Sequence, residues 1–252
     1  MKKYLISIES ANSDRLNKLY SQATFYNYKD EFKQFGIIGK NLSVSEYFQQ
    51  GVAGKKKPMT PGELGCTLSH IAALRDFLNS DEQYAIIFED DVIERFDIDL
   101  DDLENLIKDM KLKPNFFLSL GGIQMKICNK VRGKLLPNVF FGEKILKVDL
   151  DFLDKLAYAY AYVVDRGMAK RLISYHATPK IYDHWGGLLL EKNISFYATF
   201  LFEHPVLNED NLDNCSYLEQ ERLLMGQVKK NRIYYFHYYL KKIKKIVLNK
   251  WS

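Results

Sequence analysis

Four short apolar runs punctuate the chain: KYLISI (3–8), YAIIF (84–88), FFLSL (116–120) and AYAYVV (159–164). They are rich in aromatic and β-branched residues and are bounded by polar ones, a pattern that predicts strands. Between them the apolar period changes. Leu64, Leu68, Ile71, Leu74 and Leu78 recur three and four apart, as do Leu100, Leu103, Leu106, Ile107 and Met110, which predicts helices. The polar segment after the first run, ESANSDRLNKLY, also turns helical. Strands alternating with helices define an α/β sandwich around a mainly parallel sheet. GVAGKKKP (51–58) is the best candidate for a mobile connection, and no repeat or low-complexity segment interrupts the pattern.

Composition narrows the class. With 252 residues, 47% hydrophobic and 27% charged, the chain has enough material for a full core and reads as globular. No segment approaches ~18 consecutive apolar residues, so no spanning helix is expected. MKKYLISIES is too short in its apolar run for a signal peptide and reads as the first strand. Three widely spaced cysteines, Cys66, Cys128 and Cys215, argue against a disulfide framework and for a reducing cytosol.

The net charge of +4 hides an asymmetry, because residues 229–252 carry eight Lys or Arg and no acid, leaving the remainder about −4. The chain therefore divides into a domain over 1–228 and a basic, aromatic tail over 229–252. In that tail Ile233, Phe236, Leu240, Ile243 and Val247 form one helical stripe, with Lys241, Lys242 and Lys245 largely opposite. This suits a helix lying on an anionic membrane surface. The other reading packs the stripe on the domain. Nucleic acid is not an expected partner, given the acidic remainder and the lack of a recognition fold.

Two stretches carry candidate chemistry. In TPGE (60–63), Thr60 suits an N-cap, Pro61 the first helical position and Glu63 a capping box. Beyond it, Gly62, Gly65, Cys66, Ser69 and Ala73 form a small-residue face opposite the leucines, able to admit a neighbouring backbone or a ligand. His70 lies at the border. Cys66 reads as a small core residue rather than a ligand. In YAIIFEDDV a strand ends in Glu89, Asp90 and Asp91, beyond the carboxyl end where α/β sheets bind ligands. Adjacent carboxylates suit a hard dication, Mg²⁺ or Mn²⁺, whose shell substrate phosphates complete. The alternative is a solvated acidic loop. A phosphoacceptor receiver domain fits less well, since the first strand supplies only Glu9.

TPGELGCTLSH (60–70) followed by IIFEDDV (86–92) resembles the signature of glycosyltransferase family 25, the lipooligosaccharide-biosynthesis transferases. YLISIESANSDRL (4–16) is similar to that family's opening strand, AYAYVVDRGMAKRLI (159–173) to a later block, and TPKIYDHW (178–185) to a Pro-x-x-x-Asp block. The resemblance runs in order from about residue 4 to residue 205. It implies a GT-A fold, a Rossmann-like nucleotide-sugar-binding sandwich. It also implies a bacterial, inverting, metal-dependent enzyme moving a hexose, most commonly galactose from UDP-galactose, onto a lipid-linked oligosaccharide. A cytoplasmic enzyme on the cytoplasmic face of the inner membrane would meet that acceptor through the basic tail.

By the same resemblance Glu89-Asp90-Asp91 stands for the Asp-x-Asp motif. Asp91 is the expected direct metal ligand. Glu89 is expected near ribose or the metal, and Asp90 beside them. Ser69 and His70 carry over as donor-pocket residues. Arg15 is expected at the nucleotide phosphates, or else paired with Asp14 or Glu9. The Thr60 helix start offers free amides to an anion or sugar hydroxyl. Asp183 is the expected general base, with Trp185 as a platform for a sugar face; the alternative is that Asp183 caps the helix beginning at His184. His204 is expected as a further metal ligand. Two other functions fit the residues: a non-catalytic membrane-surface module that kept the fold, and a metal-dependent phosphohydrolase.

Overall fold

A computed structural model describes residues 1–121, 128–205, 221 and 248–250. In chain order the elements are β1 (Lys2–Ile6), α1 (Asp14–Tyr20), α2 (Ala23–Tyr26), β2 (Lys33–Phe35), α3 (Val44–Tyr47), α4 (Pro61–Leu78), β3 (Tyr84–Glu89), β4 (Ile93–Glu94), α5 (Leu100–Met110), β5 (Phe116–Ser119), β6 (Arg132–Phe140), β7 (Glu143–Val148), β8 (Ala161–Asp165), α6 (Arg166–Tyr175), β9 (Ser195–Ala198), β10 (Phe202–Glu203) and β11 (Asn249–Lys250).

Nine strands form one sheet in the order β11-β6-β7-β9-β5-β8-β3-β1-β2. β1, β2, β3, β5, β6 and β9 run one way, and β7, β8 and β11 the other. The sheet is thus mainly parallel in strand direction, as expected, with β8 inserted antiparallel between β3 and β5.

Period-two alternation splits the core into two layers. Tyr4, Ile6, Ile87, Phe117, Tyr162 and Val164 pack on one face with Leu74 and Phe77 of α4 and Leu172 of α6. Leu5, Ile86, Phe88, Leu118 and Val163 pack on the other with Leu16 of α1 and Leu103 of α5. Ala85, Ile86, Ile87 and Phe88 are all fully buried. Each of the larger three contributes about 1.5–3 kcal/mol, and β3 is an interior strand held between β8 and β1.

Helix starts follow the sequence. Thr60 and Glu63 form the reciprocal capping box of α4, with Pro61 at its first position. Asp99 caps α5 and Asp165 caps α6. The small face of α4 admits a backbone: a Cβ on Gly65 would stand 2.4 Å from the Ile37 carbonyl oxygen and 2.7 Å from the Gly39 nitrogen. The 51–58 segment does not hang free as expected. Lys55 donates to the Pro179 carbonyl, and the Met59 N–H bonds the Gly51 carbonyl at 2.8 Å.

The predicted tail helix, with its Ile233-to-Val247 stripe, lies outside the described residues. Asn249–Lys250 is extended, pairing antiparallel with Arg132 and Gly133. Among the described residues no helix is long and apolar enough to cross a membrane.

Candidate active site

Sheet topology brings three strand ends to one edge. β1 and β3 are parallel, with Ile6 opposite Glu89, so the segments that follow them leave side by side. β8 runs the other way, so the residues before it arrive there, and the Glu89 N–H donates to the Tyr160 carbonyl at 2.8 Å. A cavity of about 690 Å³ opens at this edge. Arg15, Cys66, Ser69, Glu89, Asp90, Asp91, Asp183 and His204 are among its lining residues, and its size suits a small-molecule ligand.

Three adjacent carboxylates need positive charge, and Arg15 supplies part of it. From α1 its Nε donates to Asp90 Oδ1, and its terminal nitrogen donates to Asp91 Oδ2 at 2.9 Å. The surface pairing with Asp14 or Glu9 is therefore not the one adopted. Burial pushes Asp90 up to about 6, against the pull of Arg15 and of a Ser7 hydrogen bond. Burial acts on Asp91 too, but His204 and Arg15 outweigh it and hold its pKa below the usual value. One guanidinium does not balance three carboxylates. Moreover, Asp91 Oδ1 is buried with no hydrogen-bond partner among the described residues, an acceptor left open at the centre of the cluster.

His204 reaches this cluster through the small sheet of β4 and β10. That pairing places Glu203 opposite Ile93, just after the carboxylates. His204 Nε2 lies 3.2 Å from Asp91 Oδ2, and Nδ1 faces the Pro205 carbonyl at 2.9 Å. Burial lowers the His204 pKa, but Asp91 and Glu89 more than offset this, and the net direction is up. Glu89 turns the other way. Its Oε1 lies 3.3 Å from Nε2 of the fully buried His70. His70 Nδ1 meets the Tyr162 hydroxyl at 3.0 Å, that hydroxyl meets Tyr182 at 2.8 Å, and the Tyr182 ring stacks on His70 at 4.0 Å. Of the three expected metal ligands, Asp91 and His204 are thus adjacent, while Glu89 is engaged by His70.

The start of α4 is occupied from within the chain. Thr60 is buried and does not line the cavity; its Oγ1 accepts the Glu63 N–H at 3.1 Å. The Gly62 N–H, expected to be free for a ligand, donates to Glu221 Oε2 at 2.8 Å. Ser69 also serves the fold, accepting the Ile37 N–H at 2.7 Å and donating to the Gly65 carbonyl at 2.8 Å. Thr60→Ala is therefore expected to cost about 1 kcal/mol of stability through the lost cap. Turnover per folded molecule should stay unchanged, which a denaturation curve beside an activity assay checks.

Asp183 is half-buried on the cavity wall. It does not cap the following helical turn, whose start has no side-chain cap. Its Oδ2 accepts the Tyr158 N–H at 3.0 Å. Tyr158 has φ 72°, a left-handed conformation that costs a bulky residue roughly 1–3 kcal/mol. Trp185 is not a sugar platform. It is fully buried, with its ring 4.6 Å from Phe117 and 6.0 Å from Phe196. An indole two positions after a catalytic candidate in sequence is here directed into the core.

Sequence reasoning missed Ser7, Tyr158, Tyr162, Tyr182 and Glu221 as site residues. The tyrosines were legible only as strand or loop aromatics, since nothing local marks a hydroxyl that will meet a histidine 92 residues away.

The strand-end carboxylates, the arginine that braces them and the capped helix beside them all lie within a span that one family model matches. The chain matches the model of glycosyltransferase family 25 (LPS biosynthesis protein) over residues 1–184. It belongs to that family and is a glycosyltransferase of lipopolysaccharide-biosynthesis type. His204 lies beyond the matched span. No curated protein matches the chain by sequence. Among solved structures, the galactosyltransferase LgtC in complex with donor and acceptor sugar analogues is 10% identical. The alignment covers 78% of this chain and 73% of that one, at a TM-score of 0.33. An active-site mutant of LgtC is 11% identical, with 78% and 72% covered and the same TM-score. Likenesses this slight add nothing to the family match.

Proposed function

We propose that the cavity binds a nucleotide-diphosphate sugar, UDP-galactose foremost, and that the protein transfers its hexose with inversion to a hydroxyl of a lipid-linked oligosaccharide. The observation that carries this reading is the gathering of Arg15, Asp90, Asp91, His204 and Asp183 around one cavity in a chain of this family. The donor set fits a hard dication, Mn²⁺ or Mg²⁺: carboxylates in excess of the guanidinium, an imidazole beside them, and the open acceptor Asp91 Oδ1. Asp91 and His204, joined by Glu89 once it leaves His70, would hold the metal. When bound, it would offset charge on the diphosphate.

The chain's own residues account for the other roles. Arg15 holds Asp90 and Asp91 in place and leaves the guanidinium at the cavity wall as a partner for phosphate oxygens. Asp183, with Oδ2 fixed by the Tyr158 N–H, has Oδ1 to accept the proton of the attacking hydroxyl. Attack at the anomeric carbon breaks its bond to the diphosphate, and a β-linked product results without a covalent enzyme intermediate.

A panel of nucleotide sugars screened by thermal shift with Mn²⁺ tests the reading. UDP-galactose at a hundred times its Kd is expected to stabilise the protein by about 2.7 kcal/mol, only with the metal present. Absence of any nucleotide-dependent shift would overturn it. We also read residues 229–247 as a membrane-surface helix. Replacing Lys241, Lys242, Lys244 and Lys245 by glutamine should release the protein from anionic vesicles, at about 1 kcal/mol per lysine. Unchanged co-sedimentation would refute that role.

A further inference from the structure

Cys66, His70 and Glu89 form a second donor set, which shares only Glu89 with the set proposed for the transfer reaction. One ligand atom from each lies within 4.8 Å of the others. Cys66 and His70 stand one helical turn apart on α4, so both project from one face of that helix. Glu89 is presented to that face by the end of β3. His70 Nε2 and Glu89 Oε1 stand 3.3 Å apart. Two ligands of a tetrahedral zinc ion, with bonds near 2.0–2.3 Å, stand roughly 3.3–3.6 Å apart. The thiol needs to close by little more than about an ångström to complete three corners of that tetrahedron.

The surroundings suit a metallated histidine. An imidazole that binds through Nε2 must carry its proton on Nδ1 and donate it. Here Nδ1 faces the Tyr162 hydroxyl, which meets the Tyr182 hydroxyl in turn. Both hydroxyls donate or accept. His70 can therefore exchange tautomers, freeing the Nε2 lone pair, without leaving a buried polar group unpaired. The Tyr182 ring stacked at 4.0 Å and 6° fixes the imidazole plane. Cys66 and Glu89 line the cavity while His70 is fully buried, so the fourth corner faces the open side.

We propose that Cys66, His70 and Glu89 form a binding site for a borderline-soft dication, Zn²⁺ foremost, with its fourth position open to the cavity. Thiolate, imidazole and carboxylate favour zinc over magnesium or calcium. Binding deprotonates the Cys66 thiol and releases that proton to solvent; two anionic ligands and one neutral one then balance the ion. The site does not rest on the donor-sugar reading, because Glu89 is the one residue the two sets share. The two sets would compete for it, so zinc here would withdraw Glu89 from the cluster around Asp91.

The test uses full-length, chelator-stripped protein and Co²⁺ as a spectroscopic probe, displaced by Zn²⁺. One equivalent of Co²⁺ should give a thiolate-to-metal charge-transfer band and the intense visible bands of tetrahedral cobalt, and Zn²⁺ should abolish both. Cys66→Ser should eliminate the charge-transfer band and weaken Zn²⁺ binding by more than about a hundredfold. Tyr162→Phe, which removes only an outer partner of the histidine, should cost about 10–100-fold. Cys215→Ser and Asp91→Asn should retain the bands. A charge-transfer band that survives Cys66→Ser, or weak octahedral bands without one, would overturn the proposal. Circular dichroism of the Cys66→Ser protein separates loss of the ligand from loss of the fold. Retention in Asp91→Asn separates this site from the one proposed for the sugar donor.

Discussion

Asp91→Asn is expected to abolish metal-dependent UDP binding and to lower transfer by roughly 10²–10³-fold, the range that one electrostatic contact to the reacting charge supplies. The fold should survive. The asparagine oxygen can still accept from Arg15 and His204, which now meet Asp91 Oδ2 at 2.9 and 3.2 Å, and Arg15 keeps its bond to Asp90. What disappears is the charge on a buried carboxylate that Arg15 and His204 hold ionised. Calorimetric titration of UDP in the presence of Mn²⁺ reads the effect directly. Wild-type affinity in the variant would remove the donor-site reading.

Trp185→Ala should instead act on stability, by about 3–5 kcal/mol, as expected when a large aromatic is deleted from a packed core. Phe117 is stacked between Tyr162 and Phe196, at 4.7 and 5.1 Å, and the indole closes that aromatic cluster. Its removal leaves a void beneath β5 and β9. Trp185→Phe should cost less, because a ring still fills most of the space. Urea denaturation measures both. A raised KM at unchanged stability would restore the role of sugar platform and contradict the observed burial.

The parts of the fold legible in advance are those where local chemistry and tertiary packing agree. The Thr60–Glu63 capping box marks the start of α4, and the continuous apolar run Tyr84–Phe88 marks a strand buried on both faces. The hairpin of β6 and β7 was not legible. Pro137 interrupts β6 at the register shift between Leu135 and Val139, and the strand's middle is largely exposed, so no clean alternation survives. β9 was hidden in SFYATFLF, a run that fits strand or helix equally well.

The site divides in the same way. The carboxylate triplet announces itself at the end of an apolar run. Its arginine partner, 75 residues earlier, is fixed only by the parallel pairing of β1 with β3. Likewise His70 was visible as a motif residue, but its alignment with Glu89 and Tyr162 depends on β8 entering the sheet antiparallel.

Tyr158, whose backbone sits in an unfavourable rotation and is anchored on the Asp183 carboxylate, has a ring stacked 5.3 Å from His204. Mutating Asp183 thus removes the anchor of a residue whose ring also packs on the His204 imidazole. Activity lost in Asp183→Ala would mix chemistry with relaxation of that wall. A Tyr158→Gly background, in which the rotation carries no penalty, is where the contribution of the carboxylate to proton transfer can be weighed on its own.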